Sequence, residues 1–241
     1  MIKITFMGAG STVFLRNVLG DCIYTDALKG MEIALYDIDG QRLEQSAAIL
    51  EAINKGNGCP ASIRSYLGAE NRRKALSGAD FVINAIQVGG YDPCTITDFE
   101  IPKKYGLRQT IADTTGVGGI FRALRTIPVM EGIARDMEAV CPNAWFLNYT
   151  NPMSMLTGYM LRYTGVKTLG LCHSVQTCSK TLMDAIGMSD RLEGRRELIA
   201  GINHMGWLLE LEDKDGNDLY PEVRRRALEK NEAAMKDGAE K

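Results

Sequence analysis

Five short apolar runs punctuate the first 172 residues, and each is parted from the next by a stretch long enough for a helix. The runs are IKITFM (2–7), MEIALYDID (31–39), ADFVINAI (79–86), AWFLNYT (144–150) and KTLGLC (167–172). Between them STVFLRNVLGDCIYTDAL (11–28), GQRLEQSAAILEAINK (40–55) and the segments 119–140 and 152–163 have helical texture. A strand that is apolar throughout has to be covered on both faces, and helical connections make neighbouring strands parallel. The pattern predicts an α/β fold, a doubly wound, Rossmann-type parallel sheet.

From about residue 196 the texture changes. ELIAGINHMGWLLELEDKDGNDLYP suggests two strands closing on a turn around Asp215-Gly216, with a charged helix from 221. This predicts a nucleotide-binding domain over 1–195 and the start of a truncated C-terminal α+β catalytic or substrate domain over 196–241.

The bulk properties exclude several partners. Of 241 residues 45% are apolar and 24% charged, the composition of an ordinary globular protein, and the formal net charge is −2. No Lys/Arg cluster stands out beyond RRR at 224–226, which lies on a predicted surface helix, so nucleic acid is not an expected partner. The N-terminal apolar run meets glycine too soon for a signal peptide, and no window reaches the roughly 18 apolar residues of a membrane span. Six cysteines without a paired spacing fit a reducing, cytoplasmic setting.

FMGAGSTVF follows the first run and opens the first helix. Gly8 permits the tight turn, Gly10 lets backbone approach a pyrophosphate, and Ser11 starts the helix. The third glycine of the usual pattern is replaced by Val13. Asp37, at the tip of the second run, can accept both ribose hydroxyls and would repel the extra phosphate of NADP, which favours NAD. Asn84, with Gly89 and Gly90 beyond it, would line the path from adenosine to nicotinamide.

The chain has two histidines, His173 directly after Cys172 and His204 in GINHMGW. A free cysteine is ordinarily buried and inert. Cys172, however, stands at the carboxyl end of a predicted strand, where ligands of open α/β sheets sit, as do Asn148 and Asn151 in FLNYTNP. A thiolate, an imidazole and substrate oxygens would suit a divalent transition metal. The separation between Cys172 and His204 matches no local metal-site spacing, and a core histidine bonded by the backbone is the other reading of His204.

NAWFLNYTNPMSMLT, KTLGLCHSVQ and GINHMGW, in that order after ITFMGAGS, YDID, VGGYD, EIPKKYG and DTTGVGG, resemble glycoside hydrolase family four, the NAD- and metal-dependent glycosidases. The resemblance covers nearly the whole chain. It implies that Cys172 and His204 hold Mn²⁺ or another divalent metal, that Asn151 and Asn148 lie at the sugar, and that His173 is the acid. Asp113 would raise the basicity of a tyrosine base. The chemistry implied is hydride transfer from C3 of the sugar to NAD, loss of the C2 proton, elimination of the aglycone, addition of water and return of the hydride. Such enzymes stand apart from glycosidases that use two carboxylates.

The Cys-His-Ser run is similar to the α-galactosidase branch, and Cys94 stands near the place of the phosphate-binding arginine of phosphosugar branches. An unphosphorylated sugar substrate is therefore expected. The tyrosine base falls beyond Lys241 and family members are about twice as long, so the chain reads as an N-terminal fragment of an enzyme that is a homo-oligomer at full length. An α-glucosidase or α-galacturonidase, a lactate- or malate-type dehydrogenase, and a non-catalytic nucleotide-binding module are the alternatives.

Overall fold

The computed structural model describes residues 1–58, 61–109, 114–236 and 238. The chain divides into two compact units, Met1–Leu171 and Cys172–Lys241. In the first, six strands form one sheet: β1 (Lys3–Met7), β2 (Glu32–Asp37), β3 (Ser62–Leu67), β4 (Phe81–Asn84), β5 (Trp145–Asn148) and β6 (Lys167–Gly170). Its helices are α1 (Thr12–Tyr24), α2 (Gly40–Gly56), α3 (Arg72–Leu76), α4 (Ile96–Lys104), α5 (Val117–Val140) and α6 (Met153–Tyr163), with a π-helical turn over Gly90–Thr95 before α4.

All five pairings are parallel, in the order β3-β2-β1-β4-β5-β6. The order reverses between β1 and β4, which opens a crevice at the carboxyl edge there. The sheet feeds cores on both of its faces. Ile4, Phe6, Ile33, Leu35 and Ile83 pack in a core with Leu15, Leu19, Leu43 and Leu50 of α1 and α2. Met7, Tyr36, Val82 and Phe146 pack in the opposite core with Met130, Ile133 and Met137 of α5 and Leu156 of α6. Phe6 and Phe146 are wholly buried, and each such side chain is worth roughly 1.5–3 kcal/mol in apolar burial. The predicted doubly wound sheet is what forms.

The second unit contains α7 (His173–Ala185), β7 (Arg196–Ile202), β8 (Met205–Glu212) and α8 (Tyr220–Lys236). The hairpin closes at Asn203-His204, not at Asp215-Gly216 as the composition of that segment suggests. The chain does turn at Asp215-Gly216, because Asp213 accepts the Asp215 and Asn217 amides at 2.9 Å, but that turn carries β8 into α8. The family of contacts around Met183, Met188, Leu211, Leu219 and Val223 joins α7, the hairpin and α8 in one small core, so packing groups residues 172–195 with the C-terminal segment.

A bulge sets which hairpin face joins that core. Ile199 pairs with Leu208 and Leu198 with Glu210, leaving Leu209 as an extra residue in β8. The inserted residue shifts the alternation, so that Leu208 and Leu211 share the inner face. Leu211 is wholly buried while Leu209 is 53% exposed. Leu211→Ala should therefore cost about 2–5 kcal/mol of the second unit's stability in urea unfolding, and Leu209→Ala under about 0.5 kcal/mol. Equal costs would show that the bulge does not select the face.

Candidate functional site

The site begins where β1 ends. Gly8 has φ +86, and a Cβ there would lie 2.6 Å from the Ala85 carbonyl oxygen, so both the backbone conformation and the nearness of β4 demand glycine. The Gly8 and Ala9 amides donate to the Tyr36 carbonyl at 3.0 and 2.9 Å, which ties the turn to β2. Ser11 is the N-cap of α1, its hydroxyl makes no capping bond, and the first turn holds no acidic side chain. The helix N-terminus keeps the positive end of its dipole at this edge, although the Ser11 and Thr12 amides are turned onto the Gly8 and Gly10 carbonyls at 3.1 and 3.0 Å. Val13 is 66% exposed, so nothing packs closely enough there to require the third glycine.

A cavity of about 430 Å³ opens at this edge, within the range of small-molecule sites. Gly8, Gly10, Ser11 and Asp37 line it on one side, Ala85–Gly89 on another, and Ile38, Val129 and Ile133 give it apolar wall. Arg42 and Arg72 also reach it. Neither was signalled by any spacing in the sequence. Arg72 is held from behind: its Nε and that of Arg73 donate to the two oxygens of Asp136 at 2.6 and 2.7 Å. Burial pushes the Asp136 carboxyl up, but these bonds from Arg73 and Arg72 outweigh it and hold the group below the usual carboxylate range.

Asp37 is already engaged. Its Oδ1 accepts the Ile38 and Asp39 amides at 2.8 and 2.9 Å, and its Oδ2 accepts the Gly10 amide at 2.5 Å. A carboxylate offers about four acceptor positions, so one ribose hydroxyl can join without loss and a second must share with Gly10.

Asn84 and Asn148 end their strands side by side in register, and both are wholly buried. Asn84 Nδ2 donates to Asn148 Oδ1 and Thr150 Oγ1, each at 3.0 Å, and Asn148 Nδ2 donates to Thr157 Oγ1 at 3.2 Å. Thr150 Oγ1 in turn donates to the Ile86 carbonyl at 3.1 Å. These amides are turned inward and tie the ends of β4 and β5 to the loop that lines the cavity. Asn84 Oδ1 is buried without a hydrogen-bond partner. Asn151, beyond β5, is partly exposed. Tyr149 packs edge-on against Phe14 at 4.8 Å, and burial, reinforced by Cys22, pushes its hydroxyl up, opposite to what a base needs.

The remaining predicted residues belong to the second unit. Cys172 is the N-cap of α7 and partly exposed, and His173, exposed, is the first residue of that helix. His204 is at the tip of the β7–β8 hairpin with φ 62, a left-handed conformation that costs a non-glycine residue roughly 1–2 kcal/mol. Its Nδ1 is buried without a hydrogen-bond partner, which speaks against a core histidine satisfied by the backbone and leaves a donor atom of the type metals take. Among the described residues no three His, Cys, Asp or Glu side chains cluster to hold a metal. The five described cysteines are all free. Asp113 lies outside the described residues. No helix among the described residues is long and apolar enough to cross a membrane.

Comparison with known proteins bears directly on these features. Residues 3–188 match the model of the family 4 glycosyl hydrolases, and residues 199–241 that family's C-terminal domain. An alpha-galactosidase of Bacillus subtilis is 62% identical over 237 residues, 98% of this chain and 54% of its own length. An alpha-glucosidase of Erwinia rhapontici is 37% identical, over 93% of this chain and 49% of its own. The structure of a 6-phospho-beta glucosidase from Thermotoga maritima with manganese, NAD+ and glucose-6-phosphate superposes with a TM-score of 0.77 at 26% identity, covering 92% of this chain and 52% of that one. The chain thus spans about half the length of the relatives it matches. With both segments matched by the family's own models and a curated relative at 62% identity, this chain belongs to family 4 of the glycosyl hydrolases.

Proposed function

We propose that the chain is the nucleotide- and metal-binding part of an enzyme that cleaves unphosphorylated α-galactosides with NAD and a divalent metal such as Mn²⁺. The observation that carries this reading is the 62% identity to an alpha-galactosidase along 98% of the chain. In this reading residues 1–195 are the NAD-binding domain and 196–241 open the catalytic one.

When bound, NAD supplies a reversible hydride acceptor and the metal a Lewis acid for the sugar oxygens. The chain's own residues do the rest. The α1 N-terminus with Gly8, Gly10 and Ser11 receives the pyrophosphate, and Asp37 a ribose hydroxyl. Asn84 and Asn148 serve both ligands by holding the strand ends, and Asn151 meets the sugar. Cys172 and His204 would hold the metal, and among the described residues no third His, Cys, Asp or Glu side chain forms a cluster with them. His173 donates a proton to the departing glycosidic oxygen, a task suited to an imidazole because its ordinary pKa is near neutrality. Asp113 supports the base. The soluble sugar is the partner, and a reducing cytoplasm the setting that keeps Cys172 a thiol.

Three measurements test this. The chain should bind NAD more tightly than NADP, and Asp37→Ala should narrow the gap; equal affinities in the unaltered chain would remove the role of Asp37. Mn²⁺ titration followed by electron paramagnetic resonance should show one site, and Cys172→Ser or His204→Ala should weaken it by at least about tenfold, as even outer-shell changes do. Unchanged binding in both variants would place the metal elsewhere. A version of the chain extended to the relatives' length should release aglycone from an aryl α-galactoside only with NAD and Mn²⁺, and the 241-residue chain should be slower by at least about 10²–10⁴-fold, the worth of a positioned general base. Preference for the 6-phosphate would move the enzyme to another branch of the family.

A further inference from the structure

The loop that follows β4 is held by a charged pair that no motif in the sequence announces. Arg125 of α5 grips Asp98 of α4 with both arms of its guanidinium, Nη1 donating to Oδ1 at 3.1 Å and Nη2 to Oδ2 at 2.7 Å. Its remaining edge is not idle, since Nε donates to the Val88 carbonyl at 3.2 Å. Asp98 is only 2% exposed. Val88 and Gly89 are themselves part of the cavity wall.

The fit around Gly89 is tight. It has φ +86, and a Cβ there would lie 2.5 Å from Cys94 Sγ and 3.1 Å from Arg125 Nε. The guanidinium therefore lies directly behind the loop backbone, and only glycine admits it. A second tie acts from the π-helical turn: Thr95 Oγ1 donates to the Gly90 carbonyl at 3.2 Å and accepts from Gln87 Nε2 at 3.3 Å. The bond to Asp98 raises the basicity of Arg125 above its ordinary value, which keeps the fork charged.

Topology assigns this loop a part of the ligand. β1 lies between β2 and β4, so Asp37 and the Val88–Gly90 loop flank the Gly8 turn on opposite sides. A dinucleotide with its pyrophosphate at Gly8–Gly10 and its adenosine ribose at Asp37 extends its other half toward Val88 and Gly89. We propose that Arg125 is a positioning residue which, through its forked pair with Asp98 and its bond to the Val88 carbonyl, sets the loop that receives the second half of the dinucleotide. The inference rests on the reading of the cavity as the NAD site. Stability is a poor explanation for the pair, because a buried ion pair is often replaced by apolar groups at no net cost, whereas the planar fork fixes geometry that a lysine cannot reproduce.

The test compares NAD with ADP, which reaches only the Asp37 side. Both are titrated by calorimetry into the unaltered chain, Arg125→Lys, Arg125→Met and Asp98→Asn, well below each variant's melting temperature. Arg135→Met, which removes an exposed pair with Glu131 on the same helix, is the control. Losing a bond of this kind should weaken NAD by about tenfold, with ADP unchanged within about twofold. Arg125→Lys keeps the charge and so guards against a variant that fails to fold. NAD affinity unchanged in the Arg125 variants, or NAD and ADP weakened together, would overturn the positioning role. If the unaltered chain binds neither nucleotide, the NAD reading falls first and this inference with it.

Discussion

The crevice depends on how closely the end of β1 passes the end of β4. With a Cβ at Gly8 only 2.6 Å from the Ala85 carbonyl, the turn is pressed against the neighbouring strand, and φ +86 at Gly8 redirects the chain into α1. The amides of Gly8 and Ala9 both spend themselves on Tyr36, so the same few atoms join β4, β1 and β2. Because the sheet order reverses at this place, the helix N-terminus, the Asp37 carboxylate and the loop after β4 all converge on one cavity. A bulkier residue at Gly8 would have to part the two strands, and every other feature of the cavity is measured from there.

Polar burial does the complementary work. The amides of Asn84 and Asn148 have given up solvent and found partners in each other, Thr150 and Thr157, so the strand ends cannot slide past one another without leaving buried donors unmet. Arg125 with Asp98, and Arg72 with Asp136, fasten the loops and helices around this frame, Arg72 at the cavity wall itself. The loop after β4 is held through its Val88 carbonyl by Arg125.

The sequence made the sheet legible because β1, β2, β4 and β5 are largely apolar and β6 lies in the run KTLGLC. It hid β3, SIRSYL, since no residue of that edge strand is fully buried and the run carries no apolar signal. It hid α7 for a similar reason, as only Ser179 and Met183 of its thirteen residues are buried. Asp215-Gly216 has the composition of a hairpin turn and is a turn, but the hairpin closes instead at Asn203-His204, a pair whose left-handed histidine no propensity favours. At the site, Gly8, Gly10, Ser11 and Asp37 were readable from spacing, and the structure brings them to one cavity. The inward turn of Asn84 and Asn148 was not readable, because residue type and strand position fail to say which face an end residue takes. Arg125 and Asp98 lie too far apart in the chain for spacing to connect them.

The central claim, that this crevice receives a nicotinamide dinucleotide, is met most directly by following the backbone amide signals of the isotope-labelled chain as NAD is added. The account predicts that the largest shifts fall on Gly8, Gly10 and Ser11 at the turn, on Ile38 and Asp39 beside the ribose-binding carboxylate, and on Val88 and Gly89 opposite them. Shifts confined to residues away from that cavity, or no shifts at millimolar NAD, would contradict it.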